Sequence, residues 1–353
     1  MVCCRHGKSL LIILFSLLVL IILSYTACTQ KAQTGNNGEA TQNGAVRQSP
    51  SMQIDPPQKT TDRQPVINKP APAITSNKQS FTFDVLGDSK ILPGKENWLG
   101  NRVLAEAVTR INQDNPTLVV YLGDGADQGG PVENLAAFRS YLDKLQPSWY
   151  PVIGNHELNK GADPNGLAGN GEGNFQRVFT DKLPMQGRSY YSFNYLNTHF
   201  IVLDTAWQSG YGPAEAELKP GSQQWEWLSQ DLENASKQSR HIFIFGHKPP
   251  VSPFRAGGPD TESNLPDGHG SSWGDPGVAA EFMQLVASYH VDAVFSGHIH
   301  MYNRLDIQGL PYIITAGAGA SLYASQESGG FYHYVKCRID GEQVSYEVVK
   351  LSP

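Results

Sequence analysis

Five short apolar stretches of the sequence each end in a glycine that is followed by polar side chains. The five turns are Gly87-Asp88-Ser89-Lys90, Gly123-Asp124, Gly154-Asn155-His156-Glu157, Gly246-His247 and Gly297-His298-Ile299-His300. A glycine at such a place permits a tight turn and a close approach of neighbouring groups. Open α/β sheets bind ligands beyond the carboxyl ends of their strands. The pattern therefore predicts that these polar side chains converge on one rim.

The converging side chains have the chemistry of a transition-metal site. Carboxylate oxygen and imidazole nitrogen ligands suit Zn, Fe, Mn or Ni better than Ca. Two aspartates, one asparagine and several histidines exceed what a single ion needs. The economical arrangement is a pair of ions about 3.5–4 Å apart that share one carboxylate. Glu157, in the third turn, is predicted to be structural rather than catalytic.

Strands and helices must hold these turns in place, and the pattern of apolar residues predicts where they lie. Strands are predicted for Phe81–Leu86, Leu118–Leu122, Tyr150–Ile153, Tyr190–Tyr195, His199–Leu203, His241–Phe245, Ala293–Phe295, Leu305–Ile307, Tyr312–Thr315, Phe331–Ile339 and Val344–Leu351. Helices are predicted from apolar residues at helical spacing for Arg102–Asn112, Val132–Leu145, Gln223–Ala235 and Val278–Tyr289. The alternation predicts an α/β fold with sheet in the middle and helices outside.

Two long polar segments, Asn159–Asn174 and Val251–Pro276, interrupt this pattern and show no periodicity. Long polar loops on a functional rim are often binding loops; a loosely ordered surface excursion is the alternative for both. As part of a binding loop, Arg255 and His269 are candidates for contact with a substrate, and Asn155 in the third turn is a further candidate.

The charge of the chain limits its partners. The 353 residues have a net charge of −6, while residues 79–353 hold 19 Lys and Arg against 30 Asp and Glu. A nucleic-acid surface needs clustered Lys and Arg, so nucleic acid is not expected as a partner. Hydrophobic residues make up 40% of the chain, which is enough for a sizeable core.

The first 28 residues are predicted to be an export signal. A nearly pure Leu/Ile/Val stretch, Leu10–Leu23, suits a signal peptide better than a membrane span of about 20 residues. Thr26-Ala27-Cys28 resembles a bacterial lipobox, whose cysteine is lipidated; an uncleaved anchor over Ser9–Ala27 is the alternative. Residues 29–79 are polar and Pro-rich and predict a disordered tether. Residues 80–353 would then fold outside the cytoplasm, attached to the membrane.

In their order and spacing, the five turns resemble those of the calcineurin-like metallophosphoesterase superfamily. Four segments resemble its purple-acid-phosphatase-like branch: Tyr190–Phe193, His199–Thr205, Gly246–Pro250 and Gly297–Arg304. The resemblance covers about residues 80–350 and implies a four-layer α/β/β/α sandwich with two mixed central sheets. It also implies a metal-dependent phosphoesterase that hydrolyses phosphate mono- or diesters, or anhydrides, by metal-activated water.

The resemblance also implies roles for the residues of the five turns. Asp124 would bridge two metal ions, drawn from Fe, Mn or Zn. The other ligands would divide into one site with Asn155, His247 and His298 and a second site with Asp88 and His300. His156 would face the leaving group as a general acid or electrostatic donor.

Two positions depart from the family pattern. Many members place a histidine ligand two residues after the first aspartate, where this chain has Lys90. Purple acid phosphatases place a tyrosine ligand three residues after the bridging aspartate, where it has Asp127. Asp127 is predicted either to ligate a metal or to pair with His156. Without the tyrosine, an iron-loaded protein is predicted not to be purple.

Lys90 has two interpretations. It either holds a substrate phosphate oxygen, with weak metal occupancy of the site at Asp88 and His300, or it points to solvent. A degenerate superfamily member that binds a phosphorylated ligand without turnover is therefore an alternative function. A surface scaffold lipoprotein, which needs only the tether, is another.

Overall fold

The computed structural model describes residues 79–158, 171–185, 187–206, 218–254, 263–264 and 268–352. The predicted signal peptide, the lipidation site Cys28, the tether up to residue 78 and Arg255 lie outside these residues. Within the described residues, every helix is too short or too polar to cross a bilayer.

These residues form thirteen β-strands and five α-helices. The strands are β1 (Ser80–Leu86), β2 (Leu118–Tyr121), β3 (Ser148–Pro151), β4 (Tyr191–Tyr195), β5 (Thr198–Val202), β6 (His241–Gly246), β7 (Ser263–Asn264), β8 (Gly270–Ser271), β9 (Ala293–Ser296), β10 (Tyr302–Ile307), β11 (Leu310–Thr315), β12 (His333–Asp340) and β13 (Gln343–Lys350). The helices are α1 (Leu99–Asp114), α2 (Val132–Leu142), α3 (Gly171–Val178), α4 (Gln223–Gln238) and α5 (Pro276–Ala287).

Two mixed sheets form the middle of the fold. The first sheet has the order β13-β12-β1-β2-β3, and the second sheet has the order β10-β11-β9-β6-β5-β4. In the first sheet β1, β2 and β3 run parallel, and in the second sheet β5, β6, β9 and β11 run parallel. Parallel neighbours bring their carboxyl ends to the same edge, and the five polar turns need this arrangement in order to meet.

An aromatic cluster joins the inner faces of the two sheets. Phe83 on β1 lies 5.3 Å from Phe200, 5.0 Å from Phe243 and 6.3 Å from Phe245, measured between ring centroids. All four rings are fully buried, and burying one such side chain contributes about 1.5–3 kcal/mol. The cluster therefore holds together the two sheets whose edges carry the candidate site.

Helices cover the outer faces of both sheets. On β6, Phe243 points to the first sheet, whereas Ile242 and Ile244 lie on the opposite face, in one cluster with Leu228 of α4 and Phe282 of α5. The buried apolar residues of α1 and α2 belong to the cluster of the first sheet. The layers are thus helix, sheet, sheet and helix, which confirms the predicted four-layer sandwich.

A helix forms where the sequence predicts part of a loop. α3 begins at Gly171, inside the predicted loop Asn159–Asn174. Its first turn contains two glycines, which have low helix propensity. Burial of Phe175 against Phe179, 4.8 Å apart between ring centroids, stabilises the helix instead. Tertiary packing has overridden the local signal here.

The second predicted loop, Val251–Pro276, contains the short strands β7 and β8, which pair with each other. The backbone N–H of Ser252 donates to the carbonyl of Gly270 at 2.6 Å. The segment therefore folds back on itself through backbone hydrogen bonds, which a polar sequence without periodicity does not reveal.

Candidate metal centre

The five polar turns follow β1, β2, β3, β6 and β9 and converge where the two sheets meet. The first sheet supplies Asp88, Asp124 and Asn155, and the second sheet supplies His247, His298 and His300. Direct contacts link the two sets across the sheets. The backbone N–H of His298 donates to both oxygens of Asp88, at 3.0 and 3.1 Å.

Two groups of potential ligand atoms form at this place, and they share Asp124. One group contains Asp124, His247 and His298, and the other contains Asp88, Asp124 and His300. Within each group the ligand atoms lie within 4.8 Å of one another. Asn155 adjoins the first group, because its Oδ1 lies 2.9 Å from His247 Nε2. The structure therefore brings the six predicted ligands together; their roles stay predictions.

Backbone carbonyls orient two of the histidines. Nδ1 of His247 lies 2.7 Å from the carbonyl of Leu122, and Nδ1 of His300 lies 2.7 Å from the carbonyl of Ser321. A ring N–H donated to a carbonyl fixes the tautomer and leaves Nε2 for a ligand, as is usual for metal-binding histidine. Both Nε2 atoms point at aspartates, at 3.3 Å for His247 to Asp124 and 3.6 Å for His300 to Asp88.

The surroundings of the Asp124 carboxylate fit a cation. Oδ1 accepts a hydrogen bond from the backbone N–H of His156 at 2.9 Å. Oδ2 is buried and has no hydrogen-bond partner among the described residues. A buried polar atom left in this state costs about 1–3 kcal/mol. Asp124, Asn155 and His247 could therefore hold an ion, and Oδ2 of Asp124 is the atom there that lacks a partner.

Charge and burial shift the pKa of the residues around Asp124. Burial raises the pKa of the Asp88 carboxyl to about 8. At Asp124 burial opposes ionisation, but the positive charges of His247 and His156 outweigh it and hold the pKa well below its usual value. At His247 burial favours the neutral ring, but Asp124 outweighs it and raises the pKa to about 9. A cation that displaced the His247 proton would supply the positive charge that Asp124 needs.

The other two histidines are held neutral. Burial, with a smaller effect of His247, keeps the pKa of His298 well below its usual value. Burial, followed by the charge of Lys90, lowers the pKa of His300 to about 3. A metal ligand must be the neutral imidazole, so both rings are in the state that binding requires.

Several residues of the site have a strained, left-handed backbone conformation. Seven non-glycine residues of the described chain have positive φ, and four of them belong to the site: Asp88 (65°), Lys90 (46°), Asp124 (54°) and His298 (68°). Such conformations cost on the order of 1–3 kcal/mol each and persist where the surroundings fix them. Here the N–H groups of Asp88 and Lys90 donate to the carbonyls of Gly123 and Asp124, both at 3.0 Å.

Glu157 fastens two of the turns together. Its Oε2 accepts hydrogen bonds from the backbone N–H groups of Asp124 (2.8 Å) and Gly154 (2.7 Å), and its Oε1 accepts one from Gly125 (2.9 Å). The side chain is buried and belongs to neither group of ligand atoms. Its place agrees with the structural role predicted from the sequence.

Two glycines of the turns are required by close approach. A Cβ on Gly154 would lie 2.3 Å from the backbone nitrogen of Asp124, and one on Gly297 would lie 2.5 Å from Asp88 Oδ2. Real Cβ atoms essentially never come this near. Both glycines therefore let the ligand-bearing turns touch.

His156 and Asp127 meet, but not as the sequence predicts. Nδ1 of His156 makes a short hydrogen bond with the backbone carbonyl of Asp127. The Asp127 carboxylate is in neither group of ligand atoms, so neither predicted use of that side chain is observed. The reason is geometric, since the turn after β2 presents the main chain of Asp127 to the imidazole. His156 Nε2 lies 3.7 Å from Asp124 Oδ2.

Two of the residues predicted to contact substrate, Lys90 and His269, lie in different surroundings. The ammonium of Lys90 lies 3.7 Å from Asp124 Oδ2, so the side chain points into the site rather than to solvent. His269 lies half-buried just before β8 and in neither group of ligand atoms.

Sequence reasoning missed the segment that follows β11, Ala316–Tyr323. Its backbone carbonyl at Ser321 orients His300, and the N–H of Ala320 donates to the carbonyl of Asp88 at 2.9 Å. The sequence Ala-Gly-Ala-Gly-Ala directly after a buried strand is the signal that could have identified it, because small residues there permit a sixth close approach.

A family model described as calcineurin-like phosphoesterase matches residues 82–302, which include all six predicted ligands. The chain is 29% identical over 167 residues to an uncharacterized protein of Mycobacterium tuberculosis, a match that covers 44% of this chain and 27% of that protein. It is 24% identical over 296 residues to a phosphoenolpyruvate phosphatase of Allium cepa, covering 77% of this chain and 53% of that protein. The chain thus spans 27% and 53% of the lengths of these relatives.

One solved structure with a similar fold is the purple acid phosphatase PPD1 from yellow lupin (Lupinus luteus) seeds. The two superpose with a TM-score of 0.58 at 14% identity, over 78% of this chain and 53% of that chain. At this identity the likeness concerns the fold alone.

Proposed function

The chain belongs to the calcineurin-like phosphoesterase family, and from that premise we propose that it is a metal-dependent hydrolase of phosphate mono- or diesters or anhydrides. The observation that carries the proposal is the buried, shared carboxylate of Asp124. One oxygen of this carboxylate has no hydrogen-bond partner in the described chain. The carboxylate belongs to both groups of ligand atoms.

Six residues would hold a pair of ions. The ligands are Asp124, shared, with Asn155, His247 and His298 on one side and Asp88 and His300 on the other. Their oxygen and imidazole donors suit Fe, Mn or Zn. When bound, such ions supply Lewis-acid charge to phosphoryl oxygens and lower the pKa of a bound water toward neutrality.

We infer that His156 gives a proton to the leaving group. Its Nδ1–H donates to the backbone carbonyl of Asp127, so Nε2 is the atom left to exchange a proton. The His156 side chain is 20% exposed, and its Nε2 lies 3.7 Å from Asp124 Oδ2. Proton transfer by a positioned side chain contributes about 10²–10⁴-fold.

The test is metal-dependent hydrolysis by purified protein. After removal of metal with EDTA, protein reloaded with Mn²⁺, Zn²⁺ or Fe²⁺ should hydrolyse p-nitrophenyl phosphate or its bis ester. Asp124→Asn should lower kcat/KM by at least about 100-fold, since loss of metal-held charge costs several kcal/mol of barrier. Asp143→Asn, at an exposed position after α2, is the matched control and should keep its activity. Full metal content and full rate in Asp124→Asn would refute the proposal.

Binding of a phosphorylated ligand without turnover is the second candidate, and the ion pair of Lys90 with Asp124 favours it. Metal-loaded protein that binds inorganic phosphate, yet hydrolyses no monoester, diester or anhydride of a substrate panel, would establish it. Turnover of any of these compounds with the dependence on Asp124 given above would exclude it.

We also propose that the protein is exported and held at a membrane through lipid on Cys28. The apolar stretch Leu10–Leu23 followed by Thr26-Ala27-Cys28 supports this location. In a bacterial host, Cys28→Ala should abolish labelling with a radioactive fatty acid, whereas Cys4→Ala should leave it intact. Equal labelling of both variants would rule out Cys28 as the attachment point. The alternative of a surface scaffold lipoprotein would then lose its support as well, because it depends on this attachment.

A further inference from the structure

The Lys90 side chain is built into the site. Its ammonium lies 3.7 Å from Asp124 Oδ2, and the side chain is only 18% exposed. Lysine usually remains exposed in proteins. The oxygen it approaches is the one that no hydrogen bond satisfies.

The backbone of Lys90 fixes this direction. The residue has a φ of 46°, a conformation that an L side chain adopts only under constraint. Its N–H donates to the carbonyl of Asp124 at 3.0 Å, and its carbonyl accepts from the indole N–H of Trp98 at 3.1 Å. Lys90 is therefore positioned like the neighbouring ligands, which share its left-handed conformation.

The ammonium lies 3.7 Å from Oδ2 of Asp124, the ligand that the two groups share, and Lys90 follows Asp88 of the second group by two positions. Asp88 and Asp124 are both members of the second group, together with His300. A lysine ammonium has three donors and no lone pair, so it cannot ligate. It repels a divalent ion in that group, and it can donate to a phosphate oxygen as a compact point charge.

From these contacts, and resting on the proposed function, we propose that Lys90 replaces the charge of one metal ion. One ion binds tightly to Asp124, Asn155, His247 and His298, whereas the group of Asp88, Asp124 and His300 binds a second ion weakly. The Lys90 ammonium instead binds an oxygen of the substrate phosphate.

Metal counting tests the first half of this proposal without any use of activity. Purified protein would be dialysed against Mn²⁺ or Zn²⁺ and analysed by inductively coupled plasma mass spectrometry, with affinities from titration calorimetry. Wild type should retain about one ion per chain. Lys90→His should retain about two, since it supplies a neutral imidazole ligand. Lys95→His, at an exposed position on the following loop, is the matched control and should behave as wild type.

Phosphate binding tests the second half. Calorimetric titration of metal-loaded protein with inorganic phosphate should show affinity at least about tenfold weaker in Lys90→Gln than in wild type. Lys95→Gln should bind as wild type does. Equal phosphate affinity in Lys90→Gln would overturn the role of the ammonium.

The outcomes separate this inference from the proposed function. Wild type that binds two ions with equal, tight affinity refutes the inference, whether or not Lys90→His folds. If that protein is also an active enzyme, the proposed function still stands. Absence of hydrolysis with one tight ion refutes the proposed function but leaves the metal count standing.

Discussion

Replacement of Glu157 by Gln should destabilise the protein far more than an ordinary change of a carboxylate to an amide. Glu157 accepts three backbone hydrogen bonds, from Asp124, Gly125 and Gly154, at 2.7–2.9 Å. An amide has one acceptor oxygen, so at least one N–H would face the NH₂ group. A hydrogen bond to a charged acceptor contributes about 1.5–3 kcal/mol, and the two that remain become neutral and weaker.

The expected loss of stability combines these hydrogen-bond energies with one effect that opposes them. Burial, and after it the charge of Asp124, raises the pKa of Glu157, so removing the charge relieves part of the cost of burying it. We therefore expect Glu157→Gln to lower the free energy of unfolding by about 2 kcal/mol. Metal affinity should also fall, because the Glu157 carboxylate no longer fixes the turn that carries Asp124.

Urea denaturation of metal-free protein, followed by circular dichroism, measures this effect. Glu96→Gln, on an exposed loop, is the matched control and should change stability by less than about 0.5 kcal/mol. A Glu157→Gln protein as stable as Glu96→Gln would show that the three hydrogen bonds of Glu157 do not hold the turns together.

Two further predictions concern titration and colour. Burial opposes protonation of His241, but its hydrogen bond to Asp292 outweighs it and raises the pKa above 6.5. The resulting stabilisation is complete below pH 6.5 and is lost as the pH rises through the raised pKa of His241. The urea concentration at the midpoint of unfolding should fall over that pH range. An equal fall in His241→Gln would show that His241 does not cause it. The Tyr121 hydroxyl donates to Ser89 at 2.6 Å, and burial raises its pKa well above 10. Ferric protein should therefore show no visible tyrosinate band. Such a band would mean that a tyrosine other than one at position 127 reaches the metal.

The fold could be predicted because its signals are strong and repeated. Strands such as β2 and β6 are buried on both faces, so they read as continuous apolar runs. Each is closed by a glycine and a polar residue, and the parallel pairing of β1 with β2 then brings Asp88 and Asp124 to one edge. The ligand positions thus follow from strand ends, which sequence patterns locate well.

The rest depended on contacts that local patterns do not carry. α3 is hidden by its glycines and depends on Phe175. The use of the Asp127 main chain in place of its carboxylate depends on the path of a single turn. The direction of Lys90 depends on a backbone conformation fixed by Trp98 and Asp124, residues that no periodicity links to it.

The hydrogen bonds between Asp88 and the backbone of His298 join residues 210 positions apart. Contacts of such separation form slowly, because closing a long loop costs entropy before any contact repays it. During synthesis, the turn after β1 must therefore wait until β9 has joined the second sheet. An ion held by residues of both turns could therefore bind only after β9 has joined the second sheet.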